Sequence, residues 1–319
     1  MPATKLRLAK SPKSESPLER AMGDYLSAVR ARGGSPRTEQ YYSAILWRVL
    51  LPWAASEGIS KPEQLDQPSV DRLNAQLLGE TSEATGKPLS RASVASYLRG
   101  VRQFVRWAQG EGLIADKVRV QQVKVPRKVL VTLDRADIAA MEAAAPTERD
   151  KVIIRVLGDC GLRLAELVGL KADSLIEQGR DRFLKVEGKG SRERLVPIRP
   201  AVYLRLKRLA EKGRPVDVMT SRIFISLRRR ASGGYEALDA RAVQQMLKTT
   251  AERAGITKRV NPHSFRHSMI TNALRARANP IVVAQVAGHS DLSMIFATYS
   301  HLVASDDYRE MMRILAPED

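Results

Sequence analysis

Two stretches of this sequence carry residue types able to bind an anion and to move a proton. In Asn261-Pro-His-Ser-Phe-Arg-His-Ser268, His263 and Arg266 stand three apart behind a proline suited to a first helical turn. Positive side chains there oppose the helix dipole. An arriving anion would relieve that conflict and take up the free amides. A merely basic surface helix would contain the same residues, so this segment alone leaves both readings open. All four histidines, His263, His267, His289 and His301, fall within 39 residues. Zinc is one explanation, but there is a single cysteine and no His-Glu-x-x-His run to support it. His267 reads as a packed histidine, and Cys160 as a small buried residue at a helix end. Upstream, Gly161-Leu-Arg-Leu-Ala-Glu-Leu167 sets Arg163 three before Glu166 as a helix begins. A plain salt bridge would satisfy both, and Glu166 reads as structural. Lys189 stands between two glycines, the signature of a turn. Tyr299 is one of eight tyrosines, most of which are expected to pack.

The elements that must position these residues fall into two groups. The first is all helical. A helix from about Pro17 to Ala31 stops at Gly33-Gly34, and the next opens at Ser35-Pro36 with an N-cap serine and a first-turn proline. Its apolar positions Tyr42, Ile45, Leu46, Val49 and Trp53 recur at three and four, and Pro52 is expected to kink or end it. A third helix is expected over Ser69 to Leu78, then a polar loop, then a long helix from Ser90 to Gln109. Val94, Leu98, Val101, Val105 and Ala108 form the apolar stripe of that helix. Arg91, Arg99, Arg102 and Arg106 are spread around its polar side, as a solvated face or as phosphate contacts. Trp47, Trp53 and Trp107 read as core. Lys117 to Val131, interrupted by Pro126, reads as an extended basic linker.

The second group opens at Leu133. Asp134 caps a helix through Ala145, and another helix runs from Arg149 to Asp159. The period then changes: Arg182 to Val186 and Arg194 to Pro197 read as a β-hairpin with Lys189 at its tip. Helices resume over Ala201 to Lys212 and over Arg241 to Arg253, the latter capped by Asp239 and stopped at Gly255. Gly288 to Ser293 reads as a turn entering a helix. Asp306 to Leu315 reads as a terminal amphipathic helix in which Tyr308 packs.

Composition narrows the partners. The 319 residues suffice for two domains, and 44% of them are hydrophobic, enough for packed cores. The net charge is +18, split evenly as +9 over residues 1–129 and +9 over 130–319. A surplus carried by both halves calls for a polyanion, and nucleic acid is the commonest. No apolar run reaches membrane-spanning length, and the polar, basic residues 1–15 lack a signal-peptide core, so a disordered leader on a cytoplasmic protein is expected.

Arg163 in its Gly-Leu-Arg-Leu-Ala-Glu-Leu run, Lys189 in Gly-Lys-Gly, His263-x-x-Arg266, Gly288-His289 and Tyr299 together resemble, in order, the catalytic set of the tyrosine recombinase (phage integrase) family. The resemblance extends over nearly the whole chain. It implies a mainly α fold with a small β-sheet, built as a helical core-binding domain (16–115), a linker (116–131) and an α+β catalytic domain (132–319), closing as a clamp on DNA. It also implies a chemistry. Tyr299 attacks a phosphodiester and holds the strand as a 3′-phosphotyrosine, while Arg163 and Arg266 clamp the non-bridging oxygens with forked donors. His263 and His289 donate hydrogen bonds or handle the tyrosine proton, and Lys189 protonates the leaving 5′-oxygen. Bond energy is kept in the phosphotyrosine and charge is met by arginine, so neither ATP nor a metal cofactor is required.

The implied partner is double-stranded DNA with a specific site, with Arg91, Arg99, Arg102, Arg106 and Lys128 as candidate contacts. Self-association into a tetramer around a Holliday junction is implied too, with accessory proteins as further partners and the nucleoid as location. The ten positions from His289 to Tyr299 exceed the family's commonest nine, which bears on local helix register. A type IB topoisomerase-like enzyme and a non-catalytic DNA-binding protein of the same fold are the alternatives.

Overall fold

The computed structural model describes residues 15–82, 85–126, 132–188, 193–212, 214–229, 231, 233–288 and 315. The chain divides into two compact units, Met1–Lys128 and Val129–Asp319.

The first unit is helical: α1 (Pro17–Ala31), α2 (Pro36–Ile45), α3 (Leu51–Ser56), α4 (Gln67–Gly79) and α5 (Arg91–Gly110). Its helix starts follow cap chemistry. The Ser16, Ser35 and Ser90 hydroxyls each accept an N-terminal amide, and Glu19 reaches back to the Ser16 amide to complete a capping box. At α4 the cap is Asp66, which accepts from the Ser69 amide, so the helix begins two residues before the expected Ser69. Pro52 does not end the second helix. A π-helical turn, Leu46–Leu50, leads into α3, and the Leu51 amide bonds the Leu46 carbonyl five residues back. The widened turn accommodates a proline that has no amide to give.

The core of this unit forms where α1, α2 and α4 meet α5. Leu18, Met22, Leu46, Leu73, Leu98 and Phe104 are among its buried side chains. Trp53 is buried within it, and Trp47 and Trp107 pack against it, as core rather than as open stacking faces. Gly100 lets α5 approach closely: a β-carbon there would lie 2.4 Å from Ile45 Cδ1. Val118 and Val120 are buried in the same core, so part of the stretch read as linker packs as structure. At about 100° per residue the four α5 arginines fall within an arc of about 80°. They form one line along the helix and are not dispersed around it. Arg91, Arg99 and Arg106 are exposed, while Arg102 is half-buried.

The second unit runs α6 (Arg135–Ala144), α7 (Glu148–Cys160), α8 (Leu164–Gly169), β1 (Leu175–Gln178), β2 (Asp181–Glu187), β3 (Glu193–Pro197), α9 (Pro200–Glu211), α10 (Ala240–Arg253), α11 (Pro262–Arg275) and α12 (Pro280–Ala287). The strands form one antiparallel sheet in the order β1-β2-β3, with Leu184 opposite Leu175 on one side and Val196 on the other. Only the β2–β3 hairpin was expected. The final register pair is Glu187 with Glu193.

α7 runs through the core, with Val152, Ile153, Ile154, Val156 and Leu157 fully buried. It packs against α6, α9 and α11. Burial of such side chains contributes about 1.5–3 kcal/mol each. Its C-terminus is set by Gly161 in the left-handed region (φ 58°), whose amide bonds the Leu157 carbonyl. Ser268 of α11 accepts the Leu133 amide at 2.6 Å, which fastens the first described stretch of this unit to a helix 135 residues later.

Candidate active site

The site grows from one turn. After Gly161 reverses the chain, Arg163 takes the N-cap position of α8, and Glu166 in the first turn accepts its amide at 2.9 Å. The same carboxylate accepts Arg163 Nη1 at 2.9 Å and the Arg194 fork, Nη1 at 2.9 Å and Nη2 at 2.8 Å. Glu166 is 3% exposed at its side chain, so it sits as an anion between two cations. Burial opposes its ionisation. The hydrogen bonds from Arg194 and from the Arg163 amide and side chain outweigh that effect, and its carboxyl is held below the ordinary range.

Arg266 lies in α11. Asn261 caps that helix by accepting the Ser264 amide at 3.0 Å, and Pro262 occupies its first turn. The Arg266 side chain is buried. It donates through Nη1 to the Gly161 carbonyl at 2.9 Å and through Nη2 to the Ala287 carbonyl. His263 is exposed in the first turn of the same helix, and His267 is half-buried with its ring centre 6.5 Å away. Burial first, then the charges of His263 and Arg266, push the His267 pKa below its ordinary value, which keeps this imidazole neutral near pH 7.

These contacts converge on the end of α12. Helix C-termini leave carbonyls without intrahelical partners and carry negative charge. Here three consecutive carbonyls are met by three guanidiniums: Val286 by Arg194 Nε at 3.0 Å, Ala287 by Arg266, and Gly288 by Arg163 Nη2 at 2.7 Å. Gly288 adopts φ 66°, and a β-carbon on it would lie 2.7 Å from Arg194 Cζ. The helix end is therefore locked directly before His289 in sequence. A guanidinium has five N–H groups, and among the described residues the Arg163 side chain spends two of them, on Glu166 and Gly288. Three arginines against one carboxylate leave a positive surplus there, suited to a phosphate.

Of the sequence candidates, Arg163 and Arg266 come together at adjacent carbonyls, with His263 on the same helix as Arg266. Arg91, Arg99, Arg102 and Arg106 share α5 in the first unit. Lys128, Lys189, His289, Tyr299, His301 and Tyr308 lie outside the described residues. Sequence reasoning missed Arg194, which it read only as part of a strand. The available signal was its phase: Arg194 stands two before buried Val196 and so shares its inward face of the strand.

In the α+β unit, paired arginines locked around a helix end in a strongly basic chain are the feature of a protein that holds a phosphodiester, and likeness to known proteins gives the class. The phage integrase family matches residues 132–305, more than half of the chain. Tyrosine recombinase XerD of Pseudomonas aeruginosa is 34% identical over 225 residues, covering 66% of this chain and 71% of its own. Tyrosine recombinase XerC of Xylella fastidiosa is 29% identical over 297 residues, covering 89% and 93%. Among solved structures, the XerH site-specific recombinase bound to its palindromic difH substrate, in a post-cleavage complex, superimposes with a TM-score of 0.70 at 14% identity over 93% of this chain and 98% of that one. The chain belongs to the phage integrase family and is a tyrosine recombinase, an enzyme that breaks and rejoins DNA strands in site-specific recombination.

Proposed function

We propose that Arg163 and Arg266 hold the scissile phosphate while Tyr299 attacks it, Lys189 protonates the departing 5′-oxygen, and His263 and His289 complete the donor set. The observation that carries this reading is the convergence of Arg163 and Arg266 on the neighbouring carbonyls of Gly288 and Ala287, next in sequence to His289. Preorganised donors of this kind stabilise charge where it develops, because they need not reorganise during reaction. The donors of Arg163 that its protein bonds leave over would take the non-bridging oxygens. His267, half-buried and with a lowered pKa, is read as a packed neighbour of this set rather than a member of it.

In this reading residues 16–115 are the core-binding domain, 116–131 the linker and 132–319 the catalytic domain. The line of Arg91, Arg99, Arg102 and Arg106, with Lys128, follows the phosphate backbone of the duplex. Four protomers assemble on paired sites and exchange strands through a four-way junction, with accessory proteins choosing the pairing, and the enzyme resides on the nucleoid.

The test is a nicked suicide duplex, drawn from fragments of DNA neighbouring the gene, incubated without metal with the intact chain and with Tyr299→Phe. A denaturant-resistant protein–DNA adduct that vanishes in the variant supports the assignment. An adduct that persists moves the nucleophile to another tyrosine, and Tyr308 is the next one to replace.

A further inference from the structure

We infer that Arg194 is a positioning residue for strand cleavage, holding Arg163 at the phosphate by occupying the carboxylate that would otherwise compete for it. The inference deepens the proposed function and rests on its reading of Arg163.

Glu166 has two oxygens, and both are engaged by the Arg194 fork at 2.9 and 2.8 Å. What remains for Arg163 is one bond from the backbone and one from Nη1. The division is therefore unequal: Arg194 neutralises the carboxylate face to face, and Arg163 touches it with a single side-chain nitrogen. The exposures agree, since the Arg194 side chain is 14% exposed and that of Arg163 is 38%. The less exposed guanidinium serves the protein, and the more exposed one is presented outward. Arg194 also donates through Nε to the Val286 carbonyl at 3.0 Å and lies against Gly288. One side chain on β3 thus holds both supports of Arg163, the Glu166 carboxylate and the helix end that carries the Gly288 carbonyl.

Lysine cannot reproduce this arrangement. A point charge meets one oxygen at a time and offers no second edge to Val286. In Arg194→Lys the unengaged Glu166 oxygen turns to Arg163, which becomes bidentate to protein instead of to phosphate. DNA still binds through its many other contacts, while the charge met in the transition state is lost.

The experiment compares wild type, Arg194→Lys, Arg194→Gln and Arg163→Ala on the duplex mapped by sequencing the DNA that wild type traps. Each protein meets that duplex twice, once with a normal scissile phosphate and once with a methylphosphonate, whose neutral linkage has no oxyanion to clamp. On the normal duplex, Arg194→Lys is expected to cleave about 10- to 100-fold more slowly in single turnover. Its DNA affinity should stay within about threefold of wild type, the signature of an interaction made only in the transition state. On the neutral linkage the difference in rate should shrink to a few-fold, as it should for Arg163→Ala. Equal slowing on both linkages, or wild-type cleavage by a folded variant, overturns the inference. So does loss of a cooperative thermal transition in both Arg194 variants, which would make Arg194 a residue of the fold alone. If wild type traps no DNA, or if Arg163→Ala cleaves normally, the reading of Arg163 fails first, and the inference falls with it for a visibly different reason.

Discussion

Replacing Gly288 by alanine should unlock the end of α12, and the size of the effect can be worked from two terms. The first is backbone: Gly288 sits at φ 66°, and a β-carbon in the left-handed region costs about 1–2 kcal/mol. The second is contact. The new carbon would lie 2.7 Å from Arg194 Cζ, 2.8 Å from Nη1 and 2.9 Å from Nε. The guanidinium must move, yet those nitrogens donate to Glu166 and to the Val286 carbonyl. Losing one such charge-assisted bond adds about 1.5–3 kcal/mol. The sum is about 2.5–5 kcal/mol, which lowers the melting temperature of a unit this size by about 10 °C. Gly255→Ala supplies the control. It has a similar φ of 69° but open space within 4 Å, so only the backbone term applies, a loss of about 1–2 kcal/mol. Calorimetric melts of the two variants beside wild type measure the difference. Equal losses would refute the reasoning, because they would mean that no guanidinium rests on Gly288.

Two further outcomes follow from charge. Glu166→Gln should be less stable than wild type at pH 7, where the carboxylate is ionised between two arginines. Since the carboxyl is held below its ordinary value of 4.5, its contribution is present above that pH and is lost as pH falls through the lowered value. The two proteins should therefore converge in urea midpoint as pH is taken below about 4.5, and a constant gap would contradict the ion pairing. In the first unit, changing Arg91, Arg99 and Arg106 together to glutamine should weaken DNA binding. It should reduce the slope of log K against log salt by about 0.9 for each phosphate contact removed. An unchanged slope in fluorescence titrations would return that line of arginines to a solvated face.

Much of this fold can be read locally because caps and apolar periodicity are local. Ser35, Asp134 and Asp239 all cap as their positions suggest, Ser90 caps the helix expected to open with it, and the α5 stripe is buried as spaced. What was missed depends on tertiary context. β1 is a half-buried edge strand of four residues, too short for its alternation to stand out. α12 reads Pro-Ile-Val-Val-Ala-Gln-Val-Ala, nearly uniformly apolar, so no helical face separates from the rest. The π-turn before Pro52 depends on packing that holds the helix together past a missing amide. At the site, residue types and their order pointed to Arg163 and Arg266. The role of Arg194 was hidden, because an arginine in a hairpin strand is ordinary until its partners, Glu166 and Val286, arrive from elsewhere in the chain.

That distance has a consequence for synthesis. Arg163 meets Gly288 across 125 residues, Arg266 meets Gly161 across 105, and Arg194 meets Val286 across 92. The Arg266 bond cannot form until the ribosome has released α11, and the other two must wait for α12, although Arg163 and β3 emerge long before. Closing such long loops is slow compared with forming a helix. A nascent chain thus carries its complete helical unit, α5 included, before it owns an assembled set of arginines. If the α5 arginines contact DNA as proposed, attachment to the duplex precedes competence to cut it, and an interrupted translation product binds DNA without breaking it.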